Sequence, residues 1–529
     1  MSTVGNDDTT FDFVVIANRL PVDRDDTVDP PAWRASPGGL VTAVAPVMRS
    51  TRGAWVGWAG ATDQEFEPFD LEDMHLVPVP LSSEDIERYY EGFSNATLWP
   101  LYHDLIVHPE YHRTWWDSYV AVNERFAARA AQIAAPGAVV WVHDYQLQLV
   151  PALLRRARPD LAIGFFNHIP FPGWEIFAQL PWRAQILEGM LGADLIGFQR
   201  PADAANFRRA VRITLKRSTK DTAVSVPGPD GAESHVAHAR SFPISIDTAQ
   251  LDAMARSEAT IARAREIRRE LGDPEILLLG VDRMDYTKGI RHRIKAFGEL
   301  LDDGSVSSGE ATLVQIATPS RERIGQYRQL RDDVEQAVGR LNGEHSTLHH
   351  QPVHYFHHSY PRDEMAAYYL AADVMLVTAL RDGMNLVAKE YVACRTEDDG
   401  VLVLSEFTGA AEQLTQAVTV NPYDITGLKA SILQAVRMPQ QERRRRMRAM
   451  RRRLHTEDVA RWSADFLGTL RGIAATRRGA AHAVTAAPGS LPSDTAPSDT
   501  TPSDASTPPR SPSVTPPPDT SDPTPETPL

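Results

Sequence analysis

The chain has 529 residues, a formal net charge of −14 and 42% hydrophobic residues. That is more apolar material than one core usually takes, so two packed domains are expected. The charge argues against a general nucleic-acid binder, and no apolar run reaches the roughly 20 residues of a membrane helix. Residues 1–10 are polar and acidic, unlike a signal peptide, and the single cysteine, Cys394, excludes an intramolecular disulfide framework or a multi-cysteine metal site. The expectation is a cytoplasmic protein with neither nucleic acid nor membrane as partner.

In chain order, the first buried strand is read at 13–17 (FVVIA) and runs into Asn18 and Arg19. Gly38 and Gly39 precede an apolar helical stretch; such glycines let a ligand approach the backbone, although an ordinary turn reads equally well. An amphipathic helix at 116–133 leads to the strand 138–142, which ends in His143, Asp144 and Tyr145. The strand 161–166 ends in Asn167 and His168, followed by Ile169-Pro170-Phe171-Pro172. Polar residues closing apolar strands suit sugar hydroxyls. The bland alternative for His168 is a histidine bonded to backbone, and His143 reads as structural. A further strand lies at 195–198, and the polar stretch 218–240 reads as a surface hairpin or loop.

The break between the halves is placed after Pro243-Ile244-Ser245-Ile246-Asp247. Beyond it, the strand 276–281 runs into Arg283-Met284-Asp285-Tyr286-Thr287-Lys288-Gly289. Two cations five residues apart on a strand-end loop can neutralise a diphosphate leaving group; ion pairs with Asp282 or Asp285 are the alternative. The strand 312–317 leads to Arg321, a further phosphate candidate. An amphipathic helix is read at 360–372. The strand 374–378 leads into Arg381-Asp382-Gly383-Met384-Asn385-Leu386-Val387-Ala388-Lys389-Glu390, where a turn opens a helix whose first N–H groups can hold phosphate. Glu390 lies one turn after Leu386 and can accept from a ribose diol, or else is a buried carboxylate paired with an arginine. A last strand is read at 401–404. The arginines at 443–446, 448 and 451–453 read as a solvated helix face rather than a polyanion patch. Continuous apolar strands separated by helices indicate α/β architecture with parallel sheets covered on both faces, in two doubly wound Rossmann-like domains. Ligands then bind beyond the carboxyl ends of the strands.

The boundaries expected are a flexible N-terminus at 1–11, an N-terminal Rossmann-like acceptor domain at 12–245 and a nucleotide-sugar domain at 246–455. A helix at 456–478 packs back on the first domain. The segment 479–529, rich in Pro, Ser, Thr and Asp, is read as a disordered tail.

The segments ANR, GGL, YYEGFSNATLWP, WVHDYQL, HIPFP, RMDYTKG, PSRE and RDGMNLVAKEYVA, in this order, resemble the trehalose-6-phosphate synthases, glycosyltransferase family 20, retaining enzymes with the two-Rossmann GT-B fold facing across a cleft. The likeness spans residues 13 to about 470. It implies that Arg19, Tyr90 and Arg321 hold the phosphate and sugar of glucose 6-phosphate, with Asp144 on its hydroxyls. Arg283 and Lys288 hold the donor diphosphate, and Gly38 and Gly39 approach the donor. The run Gly383, Met384, Asn385, Leu386, Val387, Ala388, Lys389 and Glu390 grips nucleotide phosphate and ribose, and Tyr360 contacts the base. Trp99 and Ile169 shape the acceptor pocket and select the anomer; Asp382 and His168 contact the transferred glucose. The donor is UDP-glucose, GDP-glucose or ADP-glucose, which share the diphosphate-ribose part. No cofactor and no catalytic metal are expected, and a homo-oligomer is compatible with the chain. Asn167 departs from the family pattern, where an apolar residue precedes the His of HIPFP. The alternatives are a related transferase with a glycerol phosphate or pseudosugar phosphate acceptor, or a non-catalytic sugar-phosphate sensor.

Overall fold

The computed structural model describes residues 10–25, 32–35, 41, 44, 47, 48, 51, 53–228 and 233–485. In chain order the strands of the first part are β1 (Phe11–Arg19), β2 (Val22–Asp25), β3 (Ala32–Ala35), β4 (Ala54–Trp58), β5 (Phe69–Leu71), β6 (Met74–Pro78), β7 (Ala134–His143), β8 (Ala162–Asn167), β9 (Leu195–Phe198), β10 (Thr219–Lys220), β11 (Ala223–Pro227) and β12 (Glu233–Ser241). The second part has β13 (Ile276–Arg283), β14 (Ala311–Thr318), β15 (Val353–Phe356), β16 (Val374–Val377), β17 (Val401–Ser405) and β18 (Val418–Val420).

The first sheet runs β10-β11-β12-β9-β8-β7-β1-β4-β6-β5, parallel from β12 to β6. The second, β15-β14-β13-β16-β17-β18, is parallel throughout. β2 and β3 pair as a separate ribbon. The central strands are buried along their length because both faces carry helices, so aliphatic runs such as Phe13 to Ala17 need no alternation. The helix Arg113–Ile133 turns Tyr119, Val122, Phe126 and Ala130 inward at one-turn spacing.

The segment 218–240 does form a hairpin, β11 with β12, and it is built into the main sheet rather than lying free on the surface. β12 pairs in parallel with β9 and adds three strands to the main sheet. Its period-two pattern, with Ala237 and Ala239 buried and Arg240 exposed, belongs to a half-solvated strand and looks polar on average. The motif YYEGFSNATL forms a π-type helix, Ile86–Leu98, in which the Trp99 amide donates to the Ser94 carbonyl. Such wide turns are uncommon and concentrate at functional sites.

The chain crosses between its halves twice. Ile244 and Ile246 on the first crossing are buried, and Ile246 accepts a hydrogen bond from the Val459 amide on the second, at 3.1 Å. Thr248 Oγ1 donates to the Leu454 carbonyl at 3.1 Å. The helix Val459–Thr485 then packs on the first sheet. A Cβ at Gly164 or at Gly197 would lie 2.8 Å from the Phe466 ring, so these two glycines form the notch that the ring fills. Trp141 stacks on Phe466 at 4.6 Å, and Arg477 pairs with Asp194 at 2.8 Å. The helix extends past Arg478 into the stretch read as tail; residues 486–529 lie outside the described residues.

The arginine run on the helix Gln440–Thr456 is neither a bare solvated face nor an anion patch. Arg443 pairs with Asp399 at 2.6 Å, Arg446 with Glu442 at 2.7 Å and Arg448 with Asp398 at 3.0 Å. Arg451 is buried between Asp398 and Asp252. No helix among the described residues is long and apolar enough to cross a membrane.

Candidate active site

Strand order reverses at β1/β7 in the first sheet and at β13/β16 in the second. Such switch points open a crevice at the strand ends. Asp144 follows β7; Arg283 ends β13, and Lys288 lies in the turn after it; Asp382 follows β16. The turn Tyr286–Lys288 is capped by Asp285, whose Oδ1 accepts from the Thr287 amide at 3.0 Å and hydroxyl at 2.9 Å. Gly289 follows with φ +65°, and a Cβ there would meet the Thr378 carbonyl at 2.1 Å. Only glycine lets this loop lie flat on β16.

Cations gather here around buried carboxylates. Lys288 Nζ lies 2.6 Å from Asp382 Oδ2. Burial works against ionisation of Asp382, but the ammonium outweighs it and holds the carboxyl below its ordinary range. Arg321 Nη1 and Arg283 Nη2 lie 3.4 and 3.6 Å from Asp285 Oδ2. Against the pull of burial, Arg321, Arg283 and Lys288 bring Asp285 down to about 2. Asp282 pairs instead with the buried Arg293, at 2.7 Å. The alternative ion pair at Asp282 therefore engages neither Arg283 nor Lys288.

Trp99 joins this cluster from the first half. Its ring lies under Arg321 at 3.9 Å and Arg283 at 5.2 Å, a cation–π contact to both. Arg321 also donates to the Tyr145 hydroxyl at 3.1 Å and to Tyr327. Tyr90 is close enough to Arg321 and Tyr145 to interact electrostatically with both. Arg19 stands apart. It pairs with Asp23 at 2.8 Å and lies over Trp58 at 5.0 Å, and neither partner belongs to the Arg321 cluster. Gly38 and Gly39 lie outside the described residues.

Asp144 takes φ 75°, Arg321 φ 52° and Asn385 φ 82°. Non-glycine residues in the left-handed region are strained, and such strain collects at functional sites. Burial raises the Asp144 carboxyl to about 6, although its Oδ1 accepts from the amides of Tyr145 and His168 at 3.0 and 3.1 Å. His168 is not bonded to backbone through its ring: its Nε2 lies 3.1 Å from His143 Nδ1. Asn167 is fully buried and donates to the Ile169 carbonyl at 2.6 Å, so this departure from the family pattern fixes the turn rather than facing the cleft.

Asn385 caps the helix Leu386–Cys394, its Oδ1 accepting from the Ala388 amide at 3.0 Å. The Ala388 amide is thus spent, and the amides of Leu386 and Val387, which have no intrahelical acceptor, are left for a ligand. The Met384 and Ala388 side chains pack into the core and offer nothing to a ligand. Lys389 departs from expectation outright. It points away from Glu390, is fully buried, and donates from Nζ to the Ile244 carbonyl at 2.5 Å and Gln413 Oε1 at 2.6 Å. Burial lowers its ammonium to about 7. Glu390 is held by Tyr369, whose hydroxyl donates at 2.9 Å, and not by an arginine; burial raises its carboxyl. Glu390, Leu386 and Tyr360 line one cavity of about 280 Å³ with Ser245, Ile246 and Asp247 of the first crossing. A larger cavity, about 1130 Å³, lies behind the Tyr286 turn and takes in none of the predicted residues.

The halves meet at two further places. A Cβ on Gly383 would stand 2.4 Å from the His168 carbonyl, so Gly383 is needed for close approach as much as for a turn. Arg381 reaches Asp104 at 3.1 Å and the buried Asp203 at 3.7 Å. Sequence reasoning missed Tyr145 and Tyr327 as Arg321 partners, and Asp104 and Asp203 as partners of Arg381. Tyr145 adjoins Asp144 and was within reach. Tyr327 sits on a helix outside any motif, and nothing in the chain signals it.

Two Rossmann-like halves with a helix tip and cations clustered on buried carboxylates at their strand ends define a glycosyltransferase of the GT-B type. The model of glycosyltransferase family 20 matches residues 11–471, and the chain belongs to that family. A trehalose-6-phosphate synthase of Mycobacterium avium strain 104 is 56% identical over 467 residues, 87% of this chain and 95% of that relative. A crystal structure of a UDP-forming α,α-trehalose-phosphate synthase from Burkholderia vietnamiensis superposes with a TM-score of 0.80 at 32% identity, covering 89% of this chain and 98% of the other. A Burkholderia xenovorans synthase in complex with glucose 6-phosphate superposes at 0.79 and 32% identity, covering 87% and 99%.

Proposed function

We propose that the cleft transfers glucose from a nucleoside diphosphate glucose to glucose 6-phosphate with retention, giving α,α-trehalose 6-phosphate and nucleoside diphosphate. The observation that carries this reading is the convergence of Arg283, Lys288 and Arg321 beside Asp144 and the tip of the Leu386–Cys394 helix. Arg321 and Tyr90 take the acceptor phosphate and Asp144 its sugar hydroxyls; Arg19, at the end of β1 beside β7, joins them from the first half. Arg283, Lys288 and the amides of Leu386 and Val387 take the donor diphosphate, Glu390 the ribose, and the cavity beside Tyr360 the base. Asp382 and His168 contact the transferred glucose, and Trp99 and Ile169 wall the acceptor pocket.

As the bond from glucose C1 to the diphosphate oxygen breaks, negative charge grows on that oxygen, and Arg283 and Lys288 stabilise it. The acceptor hydroxyl forms the new bond to C1 on the same face, and its proton passes to the leaving phosphate oxygen. Holding two sugars in one crevice supplies much of the remaining acceleration. Two side-chain cations at the diphosphate, Arg283 and Lys288, can supply the neutralisation a metal would otherwise give, so a chelator should leave the rate unchanged. Cytoplasmic action suits the buried free thiol of Cys394.

The test is a panel of UDP-, GDP- and ADP-glucose with glucose 6-phosphate, with the product identified. Turnover with one or more donors is expected. Absence of turnover with any donor, or turnover only with a glycerol phosphate or pseudosugar phosphate acceptor, would overturn the reading. Binding of nucleotide sugar without nucleoside diphosphate release would point to a sensor.

A further inference from the structure

His143 ends β7 inside the first sheet, and His168 follows β8 beside it. Nδ1 of His143 and Nε2 of His168 are 3.1 Å apart, and the rings lie nearly parallel, at 25°. A contact between two ring nitrogens at this distance needs one proton between them. Burial keeps both rings neutral at neutral pH: it takes His168 down to about 3 and His143 well below its ordinary value, with His168 adding to the shift. Each ring therefore carries a single proton, and the pair has two arrangements.

The choice between them is made at the far nitrogen of His143. Its Nε2 is buried and has no hydrogen-bond partner. A proton on that atom would be an orphaned buried N–H, which proteins avoid more strictly than an unused acceptor. The proton of His143 therefore sits on Nδ1 and is donated to His168 Nε2. That occupies the His168 Nε2 lone pair and leaves the His168 proton on Nδ1. The rest of His168 is pinned: its amide donates to Asp144 at 3.1 Å, and its carbonyl packs on Gly383. The ring itself packs against Phe166, centroids 4.6 Å apart, and Trp462, at 6.2 Å, which limits its freedom to turn over and undo the choice.

We infer that His143 is a positioning residue that fixes the tautomer of His168, so that His168 offers the sugar in the cleft a hydrogen-bond donor and not an acceptor. This deepens the proposed function, since it rests on a sugar lying beside His168. It also separates the two histidines: one touches substrate, and the other acts only through it.

The test is nitrogen-15 NMR of the full chain labelled at histidine, without substrate, near neutral pH, with His168 assigned by comparison with His168→Gln. A protonated Nδ1 and a bare Nε2 on His168 are expected, and the reverse would overturn the inference. His143→Leu removes the donor and should lower turnover about tenfold, the worth of one hydrogen bond to the reacting sugar, while His168 becomes a mixture of tautomers. His143→Asn places an amide N–H near the lost Nδ1 and should recover most of the rate and the original tautomer. If the Leu variant does not fold, the Asn variant and the parent carry the test. An unchanged His168 signal in His143→Leu would sink the proposal. The tautomer is read on the free protein, so it stands or falls separately from turnover with glucose 6-phosphate.

Discussion

Lys288 and Asp382 form a 2.6 Å ion pair that ties the end of β13 to the end of β16 across the reversal of the second sheet. On the proposed function each partner also faces a ligand, so the pair would be both structural and functional. Lys288→Ala should abolish turnover, and it leaves a buried carboxylate without its cation. Breaking such a pair from one side costs about 3–5 kcal/mol. A clear fall in melting temperature is therefore expected alongside the lost activity. Arg283 is 44% exposed and only 3.6 Å from Asp285, so Arg283→Ala should lose turnover with little change in melting temperature. Equal melting temperatures for the two variants would contradict this account.

Asp144 supplies a pH-dependent prediction. Its carboxyl is raised to about 6 in the folded protein, against about 3.9 unfolded. The folded state therefore holds the proton more tightly, and ionising Asp144 costs stability. That cost is absent below about pH 4, grows between pH 4 and 6, and is complete above 6. Asp144→Asn should be nearly neutral at pH 4 and stabilising by about 2–3 kcal/mol at pH 7.5, with loss of activity. Denaturant midpoints at the two pH values check it; an equal shift at both would show that Asp144 is not the titrating group.

Gly383→Ala tests the contact between halves. The added methyl would fall 2.4 Å from the His168 carbonyl, so one side must retreat. Overpacking of this kind costs about 1–3 kcal/mol, and an ångström of misplacement at a catalytic centre costs about a hundredfold in rate. Steady-state kinetics should show the loss mainly in kcat, because each substrate still has its own half to bind.

Glu390→Gln should raise the donor KM about tenfold, the value of a charge-assisted hydrogen bond to a diol, with the acceptor KM little moved. The Tyr369 hydroxyl can still donate to the amide oxygen, so the fold should be retained. A comparable rise in the acceptor KM would place Glu390 outside the ribose site.

Much of this arrangement was legible in the chain because strand ends in parallel sheets are marked twice, by an aliphatic run and by the polar residues that close it. β1, β7, β8, β13, β14, β16 and β17 carry both marks. β4, with two tryptophans and a glycine in five residues, and β15, with half its residues polar, carry neither clearly, and β18 is only three residues long. The family resemblance put Lys389 with its neighbours in the donor site. Direction around the helix sends it elsewhere: adjacent residues on a helix lie about 100° apart, so Glu390 faces the cavity while Lys389 faces Ile244. The contacts that join the halves, Arg381 with Asp104 and Arg321 with Tyr145, pair residues 277 and 176 positions apart, and no local pattern encodes such a pairing.

The two chain crossings, hydrogen-bonded to each other through Ile246 and Val459, behave mechanically as one seam. Sliding one half past the other would tear that seam, whereas rotation about it leaves its bonds intact. Lys389 Nζ is bolted to the same seam at Ile244, one residue from the Glu390 carboxylate that lines the cavity beside Tyr360. On the proposed function, a donor bound against the helix Leu386–Cys394 would load this seam directly through Lys389.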